Sequence, residues 1–139
     1  MRRHFILRVT TKLLVPFILL FALYVQFHGD FGPGGGFQAG VIFGAGFILY
    51  ALIYGVENAW RVAPEPVVRV LIALGLILYV GVGYAGLFLG GNFLDYFVFA
   101  QEPAHGQHLG IFLVELGVGI TVSATMVTIF FTFAGRGRP

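Results

Sequence analysis

Ten side chains of this 139-residue chain, six carboxylates and four histidines, can exchange a proton near neutral pH, and cysteine is absent. The missing cysteine excludes thiolate metal sites, iron–sulfur ligation and disulfides. One carboxylate stands apart from the others. Glu115 lies inside a long apolar stretch that holds no other charge until Arg136. An ionised carboxylate in hydrocarbon is costly, so Glu115 must face a partner, face a wet cavity, or keep its proton. His108 precedes it by seven residues, on the same helical face but two turns away and out of direct bonding reach. His105 lies just beyond. With waters between them, the three form an uptake point for protons or cations. Alternatively, Glu115 bonds a neighbouring helix and the two histidines are ordinary loop residues. His105 and His108 are also spaced for a shared metal. Glu102 is the nearest carboxylate, and Pro103 is expected to interrupt a helix between them, so no metal site is assigned. There is no Ser/His/Asp or Cys/His set for nucleophilic catalysis.

The second chemical signal is a short run with His28, Asp30, Pro33, Gly34, Gly35, Gly36 and Phe37. Pro33 fixes its backbone, and the glycines open conformations closed to other residues. A helix that starts after them points free N–H groups, its positive end, into the loop. That end favours an anion or a carboxylate, and Asp30 is the nearest in sequence. Unwound glycine carbonyls could instead coordinate a cation, as at broken membrane helices. A rigid helix–helix turn against a neighbour is the remaining possibility. The run is not a phosphate loop, because no Lys-Ser/Thr follows the glycines.

The elements that must position these groups are membrane spans. The chain is 58% hydrophobic and 10% charged, where a soluble domain carries about 25% charge. A soluble enzyme is excluded. Charge-free stretches of 17, 26, 25 and 20 residues follow Lys12, Asp30, Arg69 and Glu115. Each is long enough, or nearly so, to cross a hydrocarbon core of about 30 Å. The expected fold is an all-α membrane protein, one integral membrane domain over 1–139, with spans 6–28, 37–56, 66–90 and 107–134. The first run has no small-residue cleavage site before His28, so it is read as a span and not as a signal peptide. All eight cations fall at the termini and the middle connection. The positive-inside rule then places both termini in the cytoplasm and the glycine loop outside. A net charge of +2 arranged this way signals topology and not nucleic-acid binding.

Helix faces carry small residues. Gly36, Gly40 and Gly44 recur every four residues, with Gly46 nearby. Gly81 and Ala85, then Gly86 and Gly90, repeat the device in the third span. In the last span Gly110, Gly117, Thr121, Thr125, Thr128 and Thr132 share a sector suited to close packing and interhelical hydrogen bonds. This is more than a lone four-helix chain needs, so some faces are expected to meet other chains. Asn92 to Phe99 mixes Asp95 among aromatics and is expected to lie in the outer interface or dock on another subunit.

The run from His28 through Pro33-Gly34-Gly35-Gly36-Phe37 to Gly40 resembles the signature of the small B-type component of the multisubunit Na+/H+ antiporter family (Mrp or Mnh type). In that family a His is followed shortly by Pro-Gly-Gly-Gly-Phe at the start of the second span. Glu115-Leu116-Gly117-Val118 is similar to the family's acidic-x-Gly-Val pattern, and size and span number also match. The resemblance implies a small, non-enzymatic subunit of a bacterial cell-membrane antiporter that exchanges cytoplasmic Na+ for external protons. It implies no cofactor. The implied partners are large antiporter subunits like those of respiratory complex I, other small membrane subunits, and the lipid bilayer. By position, Pro33 and Phe37 are the residues it marks as sensitive. Similar loops occur in membrane arms of hydrogenases and complex-I-like enzymes, which leaves an ion-pumping redox complex as the alternative host. A self-assembling small channel is a third possibility.

Overall fold

The computed structural model describes residues 3–29, 32–100 and 102–135. It is 87% helical, with no strand among the described residues. The elements are α1 (Arg3–His28), α2 (Gly36–Tyr54), α3 (Val56–Val62), α4 (Glu65–Phe88) and α5 (Pro103–Gly135), with a single 3-10 turn at Tyr96–Phe99. Four of the helices, all but α3, are long and apolar enough to cross a membrane. They begin and end within a few residues of the spans expected from charge placement.

The differences have local causes. Pro103 does not interrupt a helix; it opens α5, four residues before the expected start. At the first helical position a proline's missing N–H is one the helix leaves unpaired anyway. The middle connection is also not a plain loop. Gly55, at φ 97°, ends α2 and starts α3, a two-turn helix that brings Trp60 against the end of the bundle.

The helices pack in a row, α1–α2–α5–α4, with α5 in contact with both α2 and α4. Small residues set the two closest approaches. The face of Gly36, Gly40 and Gly44 lies on α5 at Glu115, Gly119–Val122 and Ser123–Met126. Gly75 of α4 and Gly117 of α5 meet reciprocally: a Cβ on Gly75 would stand 2.6 Å from the Gly117 carbonyl, and one on Gly117 2.8 Å from that of Gly75. Gly46 faces Ile18 and Leu19 of α1. Most of the small-residue surface is thus used inside the chain. Gly81 and Gly90 are the exceptions, with open space where a Cβ would be.

The threonine stripe behaves differently from expectation. Thr128 and Thr132 donate to the carbonyls of Ala124 and Thr128, each at 2.8 Å, within α5 itself. A helical hydroxyl reaches the carbonyl four residues back more easily than a neighbouring helix. Thr121, by contrast, bonds across to α4, donating to the Ile72 carbonyl at 3.5 Å.

The apolar core sits at the end of the bundle where α5 finishes and α3 packs. Ala51, Ala59, Val68, Ala124, Val127 and Phe131 are buried there, with Trp60 packed on Phe131. At the opposite end residues 91–100 fold onto their own chain. Asp95 accepts from the Phe97 N–H at 3.2 Å. The Tyr96 ring fills the hollow over Gly110, and Phe93 fills that over Gly83. Burial, and secondarily the nearby Tyr79 phenol, push the Tyr96 phenol above its ordinary value of 10.0. The outer face of α1, including Leu13, Phe17, Leu20 and Phe21, is left exposed, a surface for lipid or for other subunits.

Candidate functional site

The site forms where α1 ends, α2 begins and α5 passes both. The chain turns back on the last turn of α1. The Gly32 N–H donates to the His28 carbonyl (3.2 Å), and the Gly35 N–H to the Val25 carbonyl (3.3 Å). These bonds satisfy carbonyls that a helix end leaves open. Gly35 then takes φ 123°, a left-handed value that favours glycine, and α2 starts at the next residue.

The carboxylate against this loop is that of Glu115, supplied by α5. A Cβ on Gly29 would lie 2.7 Å from Glu115 Oε2, and one on Gly35 2.9 Å from Oε1. A Cβ on Gly36 would collide with the Glu115 backbone carbonyl. The glycines are therefore small because α5 and its carboxylate occupy the space. The first turn of α2 starts here with no side-chain cap of its own, and the positive end of that helix is complementary to a carboxylate. A carboxylate at the start of α2 is what the sequence implies, with Asp30 as its candidate. Asp30 itself lies outside the described residues.

Glu115 is twelve residues into α5, about 18 Å along the helix, at the level of Gly36, the first residue of α2. On the other side of α5, α4 runs on past this level to Phe88.

Two grooves open on either side of it. One, of about 540 Å³, is lined by Gln26, Phe27, His105, His108, Leu109, Phe112 and Glu115. Its wall includes Phe27 stacked on Phe112 at 5.7 Å. The other, of about 360 Å³, is lined by Glu115 with Val114, Val118, Gly34, Gly35, Gly36, Phe37 and Gln38. The structure thus brings Glu115, His108 and His105 to one groove and Glu115, Gly34–Gly36 and Phe37 to the other. His28 lines neither; its ring stacks on Tyr24 at 5.2 Å, along α1. Pro33 is exposed at the turn. His105 Nδ1 is 3.0 Å from Glu102 Oε2, an exposed contact of little energetic weight. Among the described residues no three His, Cys, Asp or Glu side chains come together to hold a metal.

Gln26 is the site residue that spacing did not reveal. It is buried between α1, α2 and α5. The one signal for it was that it is the sole side-chain amide between Lys12 and His28.

Residues 6–128, which include both the loop and Glu115, match the family described as a domain related to the MnhB subunit of Na+/H+ antiporter. The chain belongs to this family. Its relatives include proteins named antiporter subunit mnhB2 from Staphylococcus aureus strains Newman and USA300. Both are 35% identical over 133 residues, covering 94% of this chain and 94% of each relative. Among solved structures, a chain of the Mrp complex from Dietzia sp. DQ12-45-1b matches at 31% identity with a TM-score of 0.56. The match covers 91% of the MnhB-family chain but 14% of that Mrp chain, so there the fold is a small part of a longer polypeptide. The MnhB-family chain is a multi-pass protein of a bacterial membrane and one component of a transporter.

Proposed function

We propose that the chain is the small membrane subunit of a multisubunit Na+/H+ antiporter and contributes Glu115 to its ion pathway. The observation that carries the second part is the placement of the Glu115 carboxylate. It stands against the glycine loop and the start of α2, and it opens onto two grooves. One groove offers two histidines that can relay protons. The other offers loop backbone and the N-terminal turn of α2. A carboxylate so placed can take a proton from one side and release it when a cation approaches from the other. The glycines hold the backbone close enough for the loop to respond to that charge.

The chain is not an enzyme in this reading, and it carries no cofactor; Na+ and H+ are the transported species. The positive-inside rule puts both termini in the cytoplasm and the glycine loop outside. Large antiporter subunits of the complex-I type, and other small membrane subunits, cover the exposed apolar face of α1. In the Dietzia Mrp complex the matching fold is continuous with a longer chain, which supports a permanent neighbour and not a transient one. The relatives' names favour an antiporter over a hydrogenase-like redox arm.

The test is cation-dependent proton exchange in everted vesicles that carry the whole complex. Glu115→Gln keeps the shape and removes the titrating group. It should lower exchange by about tenfold or more while the subunits still co-purify. Glu115→Asp should retain part of the activity. Unaltered exchange in Glu115→Gln removes the carboxylate from the pathway.

A further inference from the structure

Gln26 is 6% exposed, and its Nε2 has no hydrogen-bond partner among the described residues. An amide left so in a buried place costs about 1–3 kcal/mol, and a membrane interior offers no bulk water to relieve it. A leucine would fill a similar volume without that cost. The surroundings are nevertheless shaped for the amide. A Cβ on Gly119 of α5 would lie 2.6 Å from Gln26 Oε1 and 3.2 Å from the Gly36 carbonyl. Gly119 thus leaves room for the Gln26 head.

The same side chain lines two hollows. One is the groove that holds His105, His108 and Glu115. The other lies further along the bundle, about 220 Å³, walled by Ala22, Phe43 and Leu71 with Ser123 at its side. Along α5, Glu115, Gly119 and Ser123 follow at intervals of four, one face in steps of about 6 Å. Gln26 supplies the polarity at the Gly119 level that α5 itself lacks there. Ser123 Oγ donates to the Ile120 carbonyl at 3.0 Å and keeps lone pairs to accept. Beyond Ser123 the buried Val127 and Phe131 close the route within this chain, so any continuation leaves sideways to a neighbouring subunit.

We propose that Gln26 is a positioning residue that holds a short water chain between Glu115 and Ser123, through which protons move. This rests on the assignment of Glu115 to the pathway. The Glu115 O–H bond breaks as its proton passes to the first water, each water passes one on, and the last, held by Ser123 Oγ, gives a proton sideways to a carboxylate or water of the neighbouring subunit. Glu115 regains a proton from the groove that holds His105 and His108. Gln26 orients a water through its terminal amide and neither gains nor loses a proton.

The chain's lack of cysteine allows a direct test in the assembled complex. Ser123→Cys is exposed to Ag+ and then to a thiol reagent, and modification of this chain is read by mass spectrometry. Ser123→Cys should react, and Gln26→Leu should slow the reaction by about tenfold. Gln26→Asn, which keeps a shorter amide, should restore part of the rate. Gln26→Leu should also lower proton exchange while the complex stays assembled. If Gln26→Leu prevents assembly, Gln26→Met against Gln26→Asn carries the same comparison. Equal reactivity with and without the amide, or no reactivity at all, overturns the water chain. Normal exchange in Glu115→Gln together with Gln26-dependent labelling overturns the proton route from Glu115 but leaves the hydrated hollow standing.

Discussion

Gly35 and Glu115 are fitted to one another: a Cβ on Gly35 would lie 2.9 Å from Glu115 Oε1, at a backbone φ of 123°. Gly35→Ala therefore meets two penalties, the carboxylate and the left-handed backbone, the latter about 1–2 kcal/mol. The loop must shift, and the start of α2 with it. Cation-dependent proton exchange should fall several-fold in vesicles while the subunit still co-purifies. Gly55 has a similar φ of 97° but open space at its Cβ position. Gly55→Ala should cost stability alone, and equal loss of exchange in both variants would show that nearness to Glu115 is irrelevant.

Phe37, the second residue of α2, is 64% exposed, and Pro33 is exposed at the turn. Neither side chain is part of this chain's core. Phe37→Ala should leave the helices intact and weaken recovery of the large subunits in mild detergent. Pro33→Ala should loosen the turn and reduce exchange. Wild-type assembly and exchange in both would make these residues a mere connector.

Gly75 and Gly81 separate internal from external packing. Gly75→Ala inserts a methyl into the α4–α5 contact at the Gly117 carbonyl and should destabilise by about 1–3 kcal/mol. Gly81→Ala faces open space and should gain about 0.5–1 kcal/mol of helix stability if lipid covers it. A thermal melt of the detergent-solubilised complex reads both. A loss at Gly81 as large as that at Gly75 would place a subunit helix on that face.

Much of the architecture was legible because a bilayer constrains it so strongly. Charges bound the spans, and hydrocarbon thickness sets their length, so α1, α2 and α4 end within a few residues of the expected positions. The start of α5 was harder, since Pro103 breaks a helix interior but suits a helix start. The two-turn α3 is too short to show a period. The placing of His108 on the Glu115 face followed from spacing on one helix, whereas His105 was expected just beyond the helix start and lies within α5. The carboxylate's contact with Gly29 and Gly35 did not, because it depends on how α5 slides along α2. Gln26 carries no charge and sits in an otherwise apolar run, so nothing local marks it as buried and unsatisfied.

Tyr96 gives a pH dependence with a definite sign. Burial first, and Tyr79 second, hold its phenol above 10.0. The neutral phenol is the form that fits over Gly110. Its contribution is complete below the unfolded value and is lost as pH rises through the folded one. Tyr96→Phe should remove this loss, so the variant's melting midpoint should fall less than the wild type's as pH passes 10.0. Parallel curves would exclude Tyr96 as the titrating group.

A tag at either terminus should report from the cytoplasm, and a probe at Gly34 from outside, as charge placement requires. External reports from both termini would invert the orientation and turn the glycine loop inward.

The helix at the centre of the row, α5, is also the one that follows all the others in the chain. During synthesis α1, α2 and α4 reach the membrane while the glycine face of α2 and Gly75 of α4 have nothing to close upon. Glu115 arrives with the final span and meets the loop in the same event that joins the two halves. The Glu115 carboxylate consequently stands against the glycine loop only once α5 has packed between α2 and α4.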